Sequence, residues 1–90
     1  MPANNAFQQA VKKDVSREKR TGAISTLIER NDARNLIVIV RMGGLSGTFR
    51  RQALEGLSRC RSDGRDRLKE LSEDRAVAPA LRSRASELIK

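Results

Sequence analysis

Three segments of this chain can be laid over one another, and that self-similarity restricts the fold more than any other feature. "VSREKRTGAISTL" (15–27), "LSGTFRRQALEGL" (45–57) and "VAPALRSRASELI" (77–89) share four residue classes in register. An opening apolar residue recurs as Val15, Leu45 and Val77. A basic residue recurs as Arg20, Arg50 and Arg82. A small residue recurs as Ala23, Ala53 and Ala85, and a closing apolar residue as Leu27, Leu57 and Ile89. The offsets between copies are 30 and 32 residues. A recurrence of this length is the signature of a stacked array.

The units of the array are helical. Leu81, Ala85, Leu88 and Ile89 fall at i, i+4, i+7 and i+8, and Phe49, Ala53, Leu54 and Leu57 at i, i+4, i+5 and i+8, the stripe of an amphipathic helix. A weaker series precedes each copy: Ala6, Leu36 and Leu68 align, as do Ala10, Val40 and the less apolar Ser72. Each unit therefore reads as a first helix, a short turn and a second helix. A lone pair cannot bury its apolar face, so the units must stack into one core. Pro79 suits a first helical position, where its missing N–H costs nothing. Ser16 and Ser46 stand where N-caps belong, and Ser62 or Asp63 can cap the helix through "RDRLKELSED".

"LSGTFRRQALEGL" and "VAPALRSRASELI" resemble the second helix of HEAT repeats, with their opening apolar residue, arginine, small residue and leucine. The resemblance covers nearly the whole chain as about three units, roughly 4–30, 33–60 and 63–90. It implies an all-α domain of about five to six helices, arranged as a small right-handed stack of antiparallel helix pairs. In that family an aspartate and an arginine about six residues later often ladder between units. Asp14 and Arg20 match this spacing. Gly44 and Ala76 stand at the corresponding positions before Arg50 and Arg82, so either other acids such as Asp74 compensate or those arginines stay unpaired.

The stretch "IVIVRMGGLSGTFRR" (37–51) reads first as a strand and a phosphate loop. No other segment reads as β, and an isolated strand has no pairing partner. The repeat makes "NLIVIV" the first helix of the middle unit, buried and apolar nearly all round because it has neighbours on both sides. Gly43 or Gly44 then caps that helix before a tight turn. The remaining Gly44–Gly47 spacing lacks the lysine of a nucleotide-binding P-loop and the sheet of an RNA-clamping KH domain. N–H groups near Gly47 and Thr48 are an alternative meeting point for a phosphate.

Charge bears on partners. Nineteen basic and eleven acidic residues give a net charge of +8, and both halves of the chain carry the surplus. The dense clusters are "KKDVSREKR" and "RCRSDGRDRLK", where alternating signs are typical of solvent-exposed helix. A regularly spaced arginine row suits phosphate or carboxylate, which guanidinium binds in bidentate fashion. The candidate contact residues are Lys12, Lys13, Arg17, Arg20, Arg50, Arg51, Arg82 and Arg84.

Phe7 and Phe49 are the only aromatic residues and there is no histidine. Base stacking on single strands is therefore not expected, nor is acid–base or metal chemistry. Cys60, the single cysteine, has no histidine to activate it and reads as a small buried residue. No catalytic residue, cofactor or metal is expected. The sequence predicts a non-catalytic cytoplasmic module that engages nucleic-acid backbone, DNA or RNA, without strong sequence preference. The alternatives are an adaptor for an acidic protein surface, or a homo-oligomer built through the C-terminal helix, where Leu88 and Ile89 end the apolar stripe. No segment approaches a membrane span or a signal peptide.

Overall fold

Three helices of this chain begin at a side chain that caps a free backbone N–H, and a fourth begins at a proline that has none. The computed structural model describes residues 4–61 and 63–90 as α1 (Asn4–Val11), α2 (Arg17–Glu29), α3 (Ala33–Arg41), α4 (Gly47–Leu57), α5 (Gly64–Glu73) and α6 (Pro79–Leu88). No strand occurs among the described residues, so the chain is all-α. Ser16 caps α2 by accepting from Lys19 N at 3.2 Å, and Ser46 caps α4 by accepting from Thr48 N at 3.3 Å. Asp32 caps α3 through Asn35 N. Pro79 occupies the first turn of α6. Asp63 is the N-cap residue of α5, but its carboxylate faces Arg67 Nε at 3.2 Å rather than a backbone N–H. Ser62 lies outside the described residues.

Short connections turn successive helices back on one another. The most extensive packing joins α1 to α2, α3 to α4 and α5 to α6. The second helices also pack side by side, α2 on α4 and α4 on α6, as do α1 on α3 and α3 on α5. The result is two layers of three helices. The Cα extents of 33 × 26 × 16 Å agree, since two helix layers lie about 8–10 Å apart. Helices within a layer are parallel. At one end of the α2–α4 contact Arg20 meets Phe49. Further along, Gln52 Nε2 donates to Thr21 O and Ser25 Oγ. Near the far end Gly56 meets Ile28, and a Cβ on Gly56 would lie 2.3 Å from Ile28 Cγ1, so a larger residue there would displace the Ile28 side chain.

Ile24, Leu27, Leu36, Ile39, Leu54, Leu57, Leu68 and Leu71 are fully buried between the layers, and no polar or charged residue is buried among the described residues. The copies on the end pairs break this pattern systematically. Ile39 and Leu71 are buried, but the position 30 residues before Ile39 is the exposed Gln9. Phe49 and Leu81 are buried, and their first copy is the exposed Lys19. At the other end Ile24 and Leu54 are buried and the third copy is the exposed Ser86; Ile37 is followed by the exposed Lys69. Leu88 and Ile89 are half-buried against the chain's own core.

Two expectations are corrected. The helix through "NLIVIV" is not covered all round: Arg34, Val38 and Arg41 line a solvent face, with Val38 41% exposed, because the outer side of its layer carries no further helix. Met42, rather than Gly43 or Gly44, is the C-cap of α3, and Leu45 N closes the turn onto Met42 O at 3.1 Å. No described glycine has a positive φ. That conformation falls on Asn31, at φ 56°, just past α2, where asparagine adopts it readily.

Candidate basic interface

Arg20, Arg50 and Arg82 each stand at the fourth position of the second helix in their pair. Their backbone N–H groups make the same bond, to Ser16 O, Ser46 O and Ala78 O at 3.0, 3.2 and 3.0 Å. The register of the sequence repeat is thus the register of the helices, and the three side chains form a row across the α2–α4–α6 layer. All three are half-buried, and in all three Nε is buried with no hydrogen-bond partner.

Beyond Nε the three diverge. Arg20 Nη2 donates to Lys12 O at the end of α1, and its guanidinium carbon lies 5.2 Å from the centroid of the Phe49 ring. Asp14 makes no ion pair with it, so the expected aspartate–arginine ladder is absent: the backbone carbonyl and the aromatic face take that place. The side chains of Arg50 and Arg82 have no hydrogen bond or ion pair among the described residues. The repeat offset explains Arg50, since Leu81 stands in α6 where Phe49 stands in α4, and both Arg50 and Leu81 line one groove. Asp74 does not compensate. Its carboxylate accepts from Arg41 Nε at 3.0 Å and from Ala76 N at 2.9 Å.

Lys12, Lys13 and Arg17 flank the row on the first pair, exposed and without ion pairs among the described residues. Lys13 and Arg20 border a cleft of about 250 Å³ with Val11, Met42, Gly44 and Leu45. Arg50 and Arg51 border one of about 370 Å³ with Gly47, Thr48, Ala78, Ala80 and Leu81. Arg51 is 63% exposed and faces Glu55 only at 3.8 Å, an arrangement worth little in water.

Arg84 belongs elsewhere. It grips Glu55 with two donors, Nε at 2.5 Å and Nη2 at 2.9 Å, and reaches Glu87 with Nη1 at 3.2 Å. The hydrogen bond from Arg84 holds the Glu55 carboxyl below the usual carboxylate range. The charges of Arg84, Arg51 and Arg59 assist, while burial opposes them. The hydrogen bonds that Arg84 donates to Glu55 and Glu87 raise its own pKa in turn. This guanidinium clamps α4 to α6 with its donors already engaged.

The row continues onto residues that sequence reasoning passed over. Arg75 lies exposed in the turn before α6, at the same end as Lys12 and Lys13. The offsets of 30 and 32 carry Lys13 to Gly43 and then to Arg75, so the signal was present in the repeat. Cys60 is buried, its Sγ 3.6 Å from Gly56 O, and burial raises its pKa. No described helix is long and apolar enough to cross a membrane. No family model, curated protein or solved structure matches this chain.

Proposed function

We propose that the chain is a non-catalytic, HEAT-like binding module whose basic surface engages nucleic-acid backbone without strong sequence preference. The observation that carries this reading is the row itself. Three arginines share one helical register, and two of them, Arg50 and Arg82, have no anionic partner among the described residues. Lys12, Lys13, Arg17, Arg51 and Arg75 surround them. An orphaned, partly desolvated guanidinium is costly to keep, and a phosphate supplies the acceptor it lacks.

The backbone of a duplex suits this surface better than an unpaired strand. Phe49 is buried and Phe7 half-buried, so the only two rings of the sequence offer no stacking platform. Contacts made through charge alone carry little sequence information. A lone, buried thiol suits the reducing cytoplasm. The test is a titration of random-sequence duplex DNA and RNA, repeated with an acidic polypeptide as competitor. Saturable, salt-sensitive binding to the duplexes supports the reading. Binding confined to the acidic polypeptide transfers the surface to a protein partner.

A further inference from the structure

The row occupies the end of the stack where the turns within pairs lie. The described residues of the connections between pairs, 30–32 and 58–61 with Asp63, lie at the other end, and they and the helix starts beside them gather a second set of arginines. Arg30 is the C-cap of α2 and Arg34 the second residue of α3. Arg59 and Arg61 follow α4, and Arg65 is the second residue of α5. The two connections are joined directly: Arg61 N donates to Asn31 Oδ1 at 3.4 Å. Residues some thirty positions apart in sequence therefore meet on one surface.

All five of these arginines are exposed and none makes an ion pair among the described residues. The nearby acids do not neutralise them. The Asp63 carboxylate faces Arg67 and Glu55 is gripped by Arg84, while Asp32, which caps α3 through neutral donors, keeps its charge and offsets part of theirs. Glu29 and Asp66 are exposed and offset part of the charge. The surplus remains positive. The thirteen residues of α2 span about 20 Å between the two ends. A duplex seated on the row leaves the second cluster facing solvent.

We propose that this second end is an independent phosphate-backbone contact, so that one molecule bridges two duplex segments. The proposal rests on the reading of the first end as a nucleic-acid contact. Like charges held close in the free protein repel, and a second polyanion relieves that repulsion at the end the first cannot reach. Joining two weak contacts on one rigid body then raises retention between duplexes well beyond that of either contact alone.

The test uses the full chain and two short random-sequence duplexes, one immobilised and one fluorescent in solution. Wild-type protein is expected to co-capture the fluorescent duplex and to bind two duplexes per molecule at low salt. The variant Arg30→Gln/Arg34→Gln/Arg61→Gln is expected to bind one duplex and to lose co-capture by about tenfold or more. The matching Arg→Lys variant keeps the charges and is expected to restore co-capture, which separates lost contact from lost fold. Wild-type protein that binds one duplex but never recruits a second overturns bridging and leaves the first contact standing. Full co-capture by the Gln variant also overturns it. Failure to bind any duplex overturns the functional reading itself, and bridging with it.

Discussion

Replacing the row arginines by methionine should move stability in opposite directions at positions that are equivalent by repeat. Methionine keeps the aliphatic stem and has nearly the helix propensity of arginine. In Arg82→Met the substitution removes a buried, unpartnered Nε and the charge attached to it. An unsatisfied buried polar group costs about 1–3 kcal/mol. Because the side chain is only half-buried, part of that cost is already relieved by water, and a gain of about 0.5–1.5 kcal/mol is expected. Arg50→Met should behave alike. Arg20→Met removes the same Nε but also the bond to Lys12 O and the contact with Phe49. A hydrogen bond from a charged donor is worth about 1.5–3 kcal/mol and an exposed cation–π contact about 0.5–1 kcal/mol. Arg20→Met should therefore be destabilising by about 1–2 kcal/mol. Thermal unfolding followed by circular dichroism resolves the difference, since 1 kcal/mol moves Tm by about 4–8 °C in a domain of this size. If Arg50→Met and Arg82→Met lower Tm as Arg20→Met does, those guanidinium groups are held inside the chain and the unpaired row is refuted.

Other substitutions probe the frame that carries the row. Gly64→Ala should cost about 1–3 kcal/mol, because its Cβ would lie 2.1 Å from Leu57 O, a backbone atom that cannot rotate away. Gly43→Ala meets open space at an ordinary φ, and urea titration should show it neutral or stabilised by up to about 1 kcal/mol. The folded Glu55 carboxyl ionises below its unfolded value, so the unfolded chain binds more protons between the two. That contribution is complete above the ordinary glutamate range and is lost as pH falls through the depressed folded value; Glu55→Gln should flatten the acid limb of the stability profile. Cys60 should react with a thiol reagent slowly in the native protein and quickly in denaturant, since the thiol is buried. The polar residues Gln9, Lys19, Lys69 and Ser86 on the end pairs predict a monomer in light scattering; a concentration-dependent mass would refute their role as end caps.

Much of the fold was legible because its signals are local. Helical spacing, Pro79 and the serines at 16 and 46 act within one turn, and each stands where a helix begins. The register of Arg20, Arg50 and Arg82 was legible for the same reason, as a copied local pattern. What the side chains do there was not. Arg20 finds a carbonyl and a ring rather than Asp14, and Arg84 finds Glu55, 29 residues away, a pairing set by how α4 and α6 lie together. The glycines at 43 and 44 invited a cap that Met42 supplies with ordinary backbone angles. Arg59, Arg61 and Arg65 were legible in "RCRSDGRDRLK", but that Arg30 and Arg34 join them was not, because the two connections meet in space through Asn31 and Arg61.

The central claim is that the unpaired row binds phosphates, and the dependence of duplex affinity on salt tests it most directly. Each phosphate neutralised contributes about 0.9 to the slope of log K against log salt on B-DNA. For the Arg50→Gln/Arg82→Gln variant the account predicts weaker binding and a slope shallower by about 1.8 than wild type, with no change in preference among duplex sequences. No wild-type binding at about 50 mM salt, or an unchanged slope in the variant, contradicts it.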